Sequence, residues 1–301
     1  MTKHAVSISL GSSARDKKVT VTFGGEPVII ERIGTDGDEK KARALFTDMD
    51  GKVDALGVGG VELYIQLGEK NYPLRSGINL VKGVKTTPAV DGRGLKHTLE
   101  RRVMQTIEPR LDPPIHPKKA MMTLGIDRFG MAESLAEAGY DTVFCDLMFG
   151  LGLPIPVYGL KNLRFLGSVL LPVVGLMPIS MLYPTGQSQD TITPKYEKWF
   201  DYGPVIAGDF LYIRKHLPAD LSGRMIVTNT TTTADVGLLR ERGLRYLVTT
   251  TPVFEGRSFG TNMLEAALTA CAGKGRPLNP AELTAMLDDL HIGPTLQTLN
   301  P

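Results

Sequence analysis

Cysteine is scarce. Cys145 and Cys271 are the only two in 301 residues, too few for a disulfide framework or a zinc ribbon. Neither sign of charge dominates: 34 Lys and Arg against 32 Asp and Glu leave a net +2. That balance gives no basic face for a nucleic acid, so no nucleic-acid partner is expected. The five histidines (His4, His97, His116, His216 and His291) make no metal-ligand spacing with one another, and no metal is expected. The first ten residues lack a signal peptide's apolar core, which together with the few cysteines makes the cytoplasm the expected compartment. Long apolar runs are also nearly absent. The one exception, residues 165–183, carries no charged side chain, but Pro172 and Pro178 interrupt it and Lys161 and Arg164 precede it. It reads as a buried helix, a lid or a subunit contact rather than a membrane span, with a homodimer through it as one assembly.

What is present is the composition of a folded globular chain, 42% hydrophobic and 22% charged. Residues 4–10, 19–23 and 27–33 read as strands, the last two joined at Gly24-Gly25. Ala42, Leu45, Phe46 and Met49 keep helical spacing over residues 36–49, behind an acidic start. Residues 53–58 and 61–67 read as further strands. Residues 95–107 read as a helix with Lys96, Arg101 and Arg102 on a solvated outer face.

Four prolines fall within residues 108–117. Neither helix nor central strand runs through such a stretch, so residues 108–118 read as a linker between a domain over 1–107 and a second over 119–301. The second domain alternates short apolar strands (120–124, 142–145, 204–207, 225–228, 246–249) with helices (129–138, 233–242, 258–272, 280–290). The expected class is α/β in two domains, the second a Rossmann-like, doubly wound parallel sheet.

In such sheets ligands lie at the carboxyl ends of strands. The turn Gly125-Ile126-Asp127-Arg128-Phe129-Gly130 joins a strand to a helix, and its glycines and free helix N–H groups suit a diphosphate. Asp146 stands 21 residues after Gly125, at the next strand end, where an acid accepts hydrogen bonds from an adenine ribose. These residues point to NAD; NADP stays open because Arg128 can neutralise a 2′-phosphate. Asn229, Thr230 and Thr250 bring hydroxyl and amide groups to the same edge, while Thr232, Thr233 and Ser258 have helix capping as a second role. In the first domain, Asp91 sits between an extended segment and two glycines, able either to orient a hydroxyl or to cap the next helix. Lys82 and Lys85 are nearby cations for acid–base work.

Three stretches carry a family resemblance. Asp91, Gly92, Gly94 and Leu95, followed by Leu99-Glu100-Arg101, resemble the shikimate/quinate dehydrogenase motif N-T-D-G-x-G-L and its helix ending L-E-R. Ser7, Ser9 and Ser12 resemble that family's paired serines. Gly260-Thr261-Asn262-Met263-Leu264 is similar to its G-x-x-M-L helix start. The whole chain also resembles bacterial proteins labelled quinate 5-dehydrogenase. The resemblance implies a first domain that binds a hydroxylated alicyclic acid, with the serines on its carboxylate, Asp91 and a lysine on its hydroxyl, and a nicotinamide cofactor on the second domain. The family's N-V-T-x-P-x-K lysine motif has no counterpart, which leaves Lys82 and Lys85, and Ala267 replaces a family glutamine. Two other functions suit the same scaffold: a non-catalytic sensor of a small molecule or nucleotide, and a transferase or lyase with a phosphorylated substrate.

Overall fold

A computed structural model describes residues 2–178, 192–254 and 257–301. It is a mixed α/β structure built on two largely parallel sheets. The described residues form two compact units: 2–95, 170–178 and 260–291 in one, and 96–169, 192–254, 257–259 and 292–301 in the other. The division thus falls between Leu95 and Lys96 rather than in the proline-rich stretch, which lies inside the second unit. Residues 260–291, expected with the second domain, belong to the first unit.

In the first unit the sheet order is β2-β3-β1-β4-β7, where β1 is Lys3–Ser9, β2 Lys17–Phe23, β3 Glu26–Gly34, β4 Ala55–Gly59 and β7 Ala89–Val90. β3, β1, β4 and β7 are parallel, and β2 is an antiparallel edge. Burial follows from position. Every residue of central β4 is buried, whereas edge strand β2 alternates with period two. A small hairpin, β5 (Tyr64–Leu67) with β6 (Lys70–Pro73), stands apart. The helix Glu39–Met49 starts on Asp38, whose carboxylate accepts from Lys41 N–H, and buries Ala42 and Phe46 against Val6, Ile8, Leu56 and Val58.

The helix Thr261–Ala272 packs on the small residues of β1 and β4. A Cβ on Gly57 would stand 3.0 Å from the Asn262 carbonyl, and one on Gly59 would stand 2.9 Å from the Ser9 side chain. The run of serine and glycine in these strands therefore lets a helix approach the sheet.

In the second unit the order is β10-β9-β8-β11-β12-β13-β16. The strands are β8 (Lys119–Met122), β9 (Asp141–Phe144), β10 (Val157–Tyr158), β11 (Val205–Gly208), β12 (Met225–Thr228), β13 (Tyr246–Thr249) and β16 (Thr295–Thr298). A two-stranded piece, β14 (Val253–Phe254) with β15 (Arg257–Ser258), lies between the last two in sequence. β9, β8, β11, β12 and β13 are parallel, and β10 and β16 close the edges antiparallel. The chain steps from β8 outward to β9, then returns to the other side of β8 for β11, β12 and β13, so the winding reverses between β8 and β11. The core gathers Met121, Val143, Phe200, Ile206, Ile226 and Leu247.

Two elements differ from expectation. Residues 95–107 do not form one helix: a short helix Arg93–Lys96, a 3-10 turn Glu100–Arg102 and a helix Val103–Ile107 follow one another. The helix Leu160–Val174, with Pro172 inside it, overlaps the first part of the apolar run, whose remainder beyond Pro178 lies outside the described residues. No helix among the described residues is long and apolar enough to cross a membrane.

Candidate functional site

The first unit brings together the stretches that carried the resemblance. Gly92 has φ +93°, and a Cβ there would meet Thr261 Oγ1 at 2.5 Å and the Asn262 nitrogen at 2.7 Å. Asn262 Nδ2 in turn donates to Ser7 Oγ at 2.6 Å. Residues 255 positions apart in sequence thus meet at the carboxyl ends of β1, β4 and β7.

Beside them lies a cluster rich in donors. Arg32 Nη2 donates to Ser9 Oγ at 3.1 Å, and its Nη1 donates to the Ser12 carbonyl at 2.9 Å and to Asp16 Oδ1 at 2.8 Å. The Gly11 N–H also donates to Ser9 Oγ, at 3.1 Å. Gly59 and Gly60 end β4 against these groups with little room for a side chain: a Cβ on Gly59 would meet Asn262 Nδ2 at 3.0 Å, and one on Gly60 would meet the Gly11 nitrogen at 3.3 Å. A guanidinium, here paired with Asp16, stands with a hydroxyl and an amide at one sheet edge, the group types that hold a carboxylate.

The other first-unit candidates have structural partners. Ser12 Oγ accepts from Ala14 N–H and caps a short turn. Asp91 is buried, and its carboxylate accepts from the N–H groups of Leu63 (2.8 Å), Tyr64 (3.3 Å) and Arg93 (3.1 Å), so it holds the chain entering the β5–β6 hairpin. Those three bonds spend the carboxylate on backbone, the last of them at the first residue of the helix Arg93–Lys96, instead of leaving it to orient a hydroxyl. Lys82 and Lys85 are exposed on a turn, and the Lys85 backbone N–H donates to Asp50.

Glu265, which sequence reasoning passed over, is buried in the same unit. Its carboxylate accepts from Leu95 N–H at 3.4 Å. Burial first, then the neighbouring Asp91 charge, pushes its pKa up to about 8.

In the second unit, the point where the winding reverses is filled by charge. Arg128 bonds Glu100 through Nη1 and Asp209 through Nη2 at 2.7 Å. Asp209 also accepts from Asn229 Nδ2 at 2.8 Å and caps the helix Phe210–Lys215 through Leu211 N–H. Thr250 Oγ1 donates to Glu100 at 3.4 Å. Lys96 Nζ donates to the Asp127 carbonyl at 3.0 Å and to its carboxylate at 3.2 Å. Lys96 and Arg128 side chains are each 4% exposed and Glu100 is fully covered. Burial raises the Glu100 pKa against the pull of Arg128 and Lys96. Burial opposes the Arg128 charge too, but Glu100, Asp209 and Asp127 together outweigh it and hold the guanidinium protonated. Gly208, at φ +131°, permits this junction, because a Cβ would lie 2.2 Å from Thr123 Oγ1.

These contacts give most of the residues expected to bind a dinucleotide a partner within the protein. Asp146 is buried and accepts from Gly125 N–H at 3.0 Å and Ile126 N–H at 2.8 Å, the donors a diphosphate would need. Burial, partly offset by these bonds, raises its pKa to about 7. Gly125 is a packing glycine, its Cβ position lying 2.7 Å from Phe144 and 2.8 Å from Leu163. Gly130 lets its helix approach the Lys96 carbonyl, at 2.0 Å from a would-be Cβ. Phe129 is buried under the Arg164 guanidinium, 5.3 Å from its ring centre. Asp127 and Arg128 neutralise partners within the protein, and Asn229 and Thr250 bond that same network. Thr230 is half-buried in the loop after β12. The residues of this turn do not fit a dinucleotide.

Capping is resolved as well. Thr232 makes a capping box with Asp235. Ser258 accepts from Thr231 N–H instead, and Gly260 occupies the N-cap of the helix Thr261–Ala272. Glu255 and Gly256 of that turn lie outside the described residues. Among the described residues no group of three or more His, Cys, Asp or Glu could hold a metal.

A family model described as Domain of unknown function (DUF8754) matches residues 94–299, well over half of the chain. The chain belongs to the DUF8754 family. A second model, Domain of unknown function (DUF8753), matches residues 4–91 of this DUF8754 chain, so the two families meet beside the division at Leu95 and Lys96. No curated protein matches. A crystal structure from Mycobacterium smegmatis is 12% identical over 96% of this chain and 94% of its own, with a TM-score of 0.33.

Proposed function

We propose that the DUF8754 chain binds a small hydroxylated carboxylic acid at the carboxyl edge of its first sheet. The observation that carries this reading is the cluster of Arg32, Ser9, Gly11, Gly59, Gly60 and Asn262. In it the Arg32 guanidinium, already paired with Asp16 at 2.8 Å, would share its charge with a bound carboxylate, Ser9 and Asn262 supply hydrogen bonds, and the glycines keep side chains out of the way. Ser7 acts through Asn262, holding its amide in place. The reversal of winding between β8 and β11, with antiparallel strands at both edges, supports a Rossmann-like arrangement for the second unit.

The second reading is an NAD- or NADP-dependent oxidoreductase acting on a quinate- or shikimate-like acid. The meeting of Ser7, Gly92 and Asn262 favours it, since these are stretches that carry the resemblance to shikimate/quinate dehydrogenases. Against it stand the turn at residues 125–130, whose groups are spent inside the protein, and Asp91, whose carboxylate is spent on backbone. No hydride step is derived from these residues.

The test is a thermal-shift panel with quinate, shikimate, NAD and NADP. A ligand that binds only the folded chain raises its melting temperature, by the equivalent of about 2.7 kcal/mol at a hundredfold excess over Kd. The hydroxy acids should raise it, and Arg32→Leu should abolish the rise. No rise at millimolar acid refutes the acid site. A rise with NAD or NADP, accompanied by turnover of either acid, replaces it with the oxidoreductase reading.

A further inference from the structure

Among the described residues, exposed large hydrophobic side chains are not scattered: all eight fall between Leu151 and Leu176. Six of them belong to the second unit: Leu151, Leu153, Ile155, Tyr158, Phe165 and Val169, with exposures from 46% for Leu153 to 71% for Phe165. They follow one another along one piece of chain. Leu151 ends the helix Asp146–Leu151; Tyr158 lies in β10, the edge of the sheet, with β9 on one side only; Phe165 and Val169 lie one turn apart on the helix Leu160–Val174, whose Leu163 is buried. A monomer rarely leaves this much apolar surface in one segment open to water.

We infer that this segment is the interface of a homodimer, covered in solution by a second copy of the chain. Area argues for it. Six side chains of this size at these exposures present roughly 500–600 Å². A twofold axis that covers all six side chains on both copies would bury about 1,100 Å² in total, past the ~1,000 Å² that marks a specific contact. Charge argues for it too. Between residues 147 and 178 there is no acidic residue, and Lys161 and Arg164 are the only cations, so two copies meet with little like-charge repulsion. The same count disfavours a lipid surface, which draws helices through rows of Lys and Arg. Here Arg164 is already engaged with Glu133 at 3.3 Å and with the Phe129 ring, leaving Lys161 alone. The edge strand β10 needs cover for its unpaired backbone, which a second copy also provides.

Sedimentation equilibrium of the full chain at micromolar concentration should give twice the 32.7 kDa chain mass. The double variant Phe165→Glu, Val169→Glu should halve that mass while keeping the far-UV circular dichroism of the parent. If that variant loses its circular dichroism, Ile155→Lys is judged by the same criterion. A parent mass of 32.7 kDa overturns the inference. So does a dimer that survives the substitutions, or flotation of the parent with phosphatidylserine vesicles that the substitutions abolish.

Discussion

Arg128→Met removes one guanidinium and leaves Glu100, Asp209 and Asp127 facing one another. Methionine fills most of the volume, so the loss is mainly electrostatic. Removing one partner of a buried pair costs about 3–5 kcal/mol, because the survivor stays desolvated and unpaired. Two details decide where in that range the cost falls. Glu100 is fully covered and retains only the long bond from Thr250, whereas Asp209 keeps Asn229 and Leu211 and Asp127 keeps Lys96. Most of the penalty therefore falls on Glu100, and protonating that one carboxylate relieves it. Glu100→Gln in the Arg128→Met background should then recover about half, giving a coupling of about 1–3 kcal/mol. Urea denaturation monitored by circular dichroism measures Arg128→Met, Glu100→Gln and the double variant, and the m-value shows whether the denatured state has changed. A loss below about 1 kcal/mol for Arg128→Met would mean that the guanidinium is solvated in the folded chain. The cluster would then be an open anion site, and the diphosphate role of Arg128 would regain its footing.

Four further outcomes are expected. Asp146→Ala strands the Gly125 and Ile126 N–H groups and should cost about 2–4 kcal/mol in the same assay, without separating NAD from NADP in the thermal-shift panel; selective loss of NAD binding would restore the ribose role. Gly208→Ala forces a left-sided φ and a 2.2 Å overlap with Thr123 and should cost at least ~2 kcal/mol of unfolding free energy; a neutral result would show that β8 and β11 can part. Thr232→Ala breaks a capping box and should cost about 1 kcal/mol in urea, leaving ligand-induced shifts unchanged. Glu265 holds its proton in the folded chain up to about pH 8 but releases it near the ordinary carboxyl value, 4.5, when unfolded; stability is therefore full below that value and declines as pH rises toward 8, by a few kcal/mol at most, and Glu265→Gln should flatten this slope in urea titrations at pH 5 and pH 8.

The strands were legible because their burial repeats in the composition. Ala120, Met121 and Met122, or Val205, Ile206 and Ala207, are apolar on both faces, and only a sheet covered on both sides asks for that. The helix over 39–49 was legible from spacing, since Ala42 and Phe46 fall on its buried face. The roles of polar side chains were not, because their partners are far away in sequence. Lys96 was read as a solvated surface cation, yet its partner is 31 residues on, and Glu100 meets an arginine 28 residues on. Asp209 did carry a local signal, since it directly follows the Gly208 that ends a strand, the position that ordinarily faces a ligand. The glycines mislead for a deeper reason. A glycine in a turn says only that something comes close to the backbone. At 125 that something is Phe144 and Leu163, and at 130 it is the Lys96 carbonyl. At 59, by contrast, the neighbours are Ser9 and Asn262, polar groups beside an arginine. The motif is the same kind in each case, and what differs is the chemistry of the atoms that fill the space a side chain would have taken. That difference is why the proposed acid site rests on Arg32, Ser9 and Asn262 and not on the turn at 125–130, whose groups are partnered within the protein.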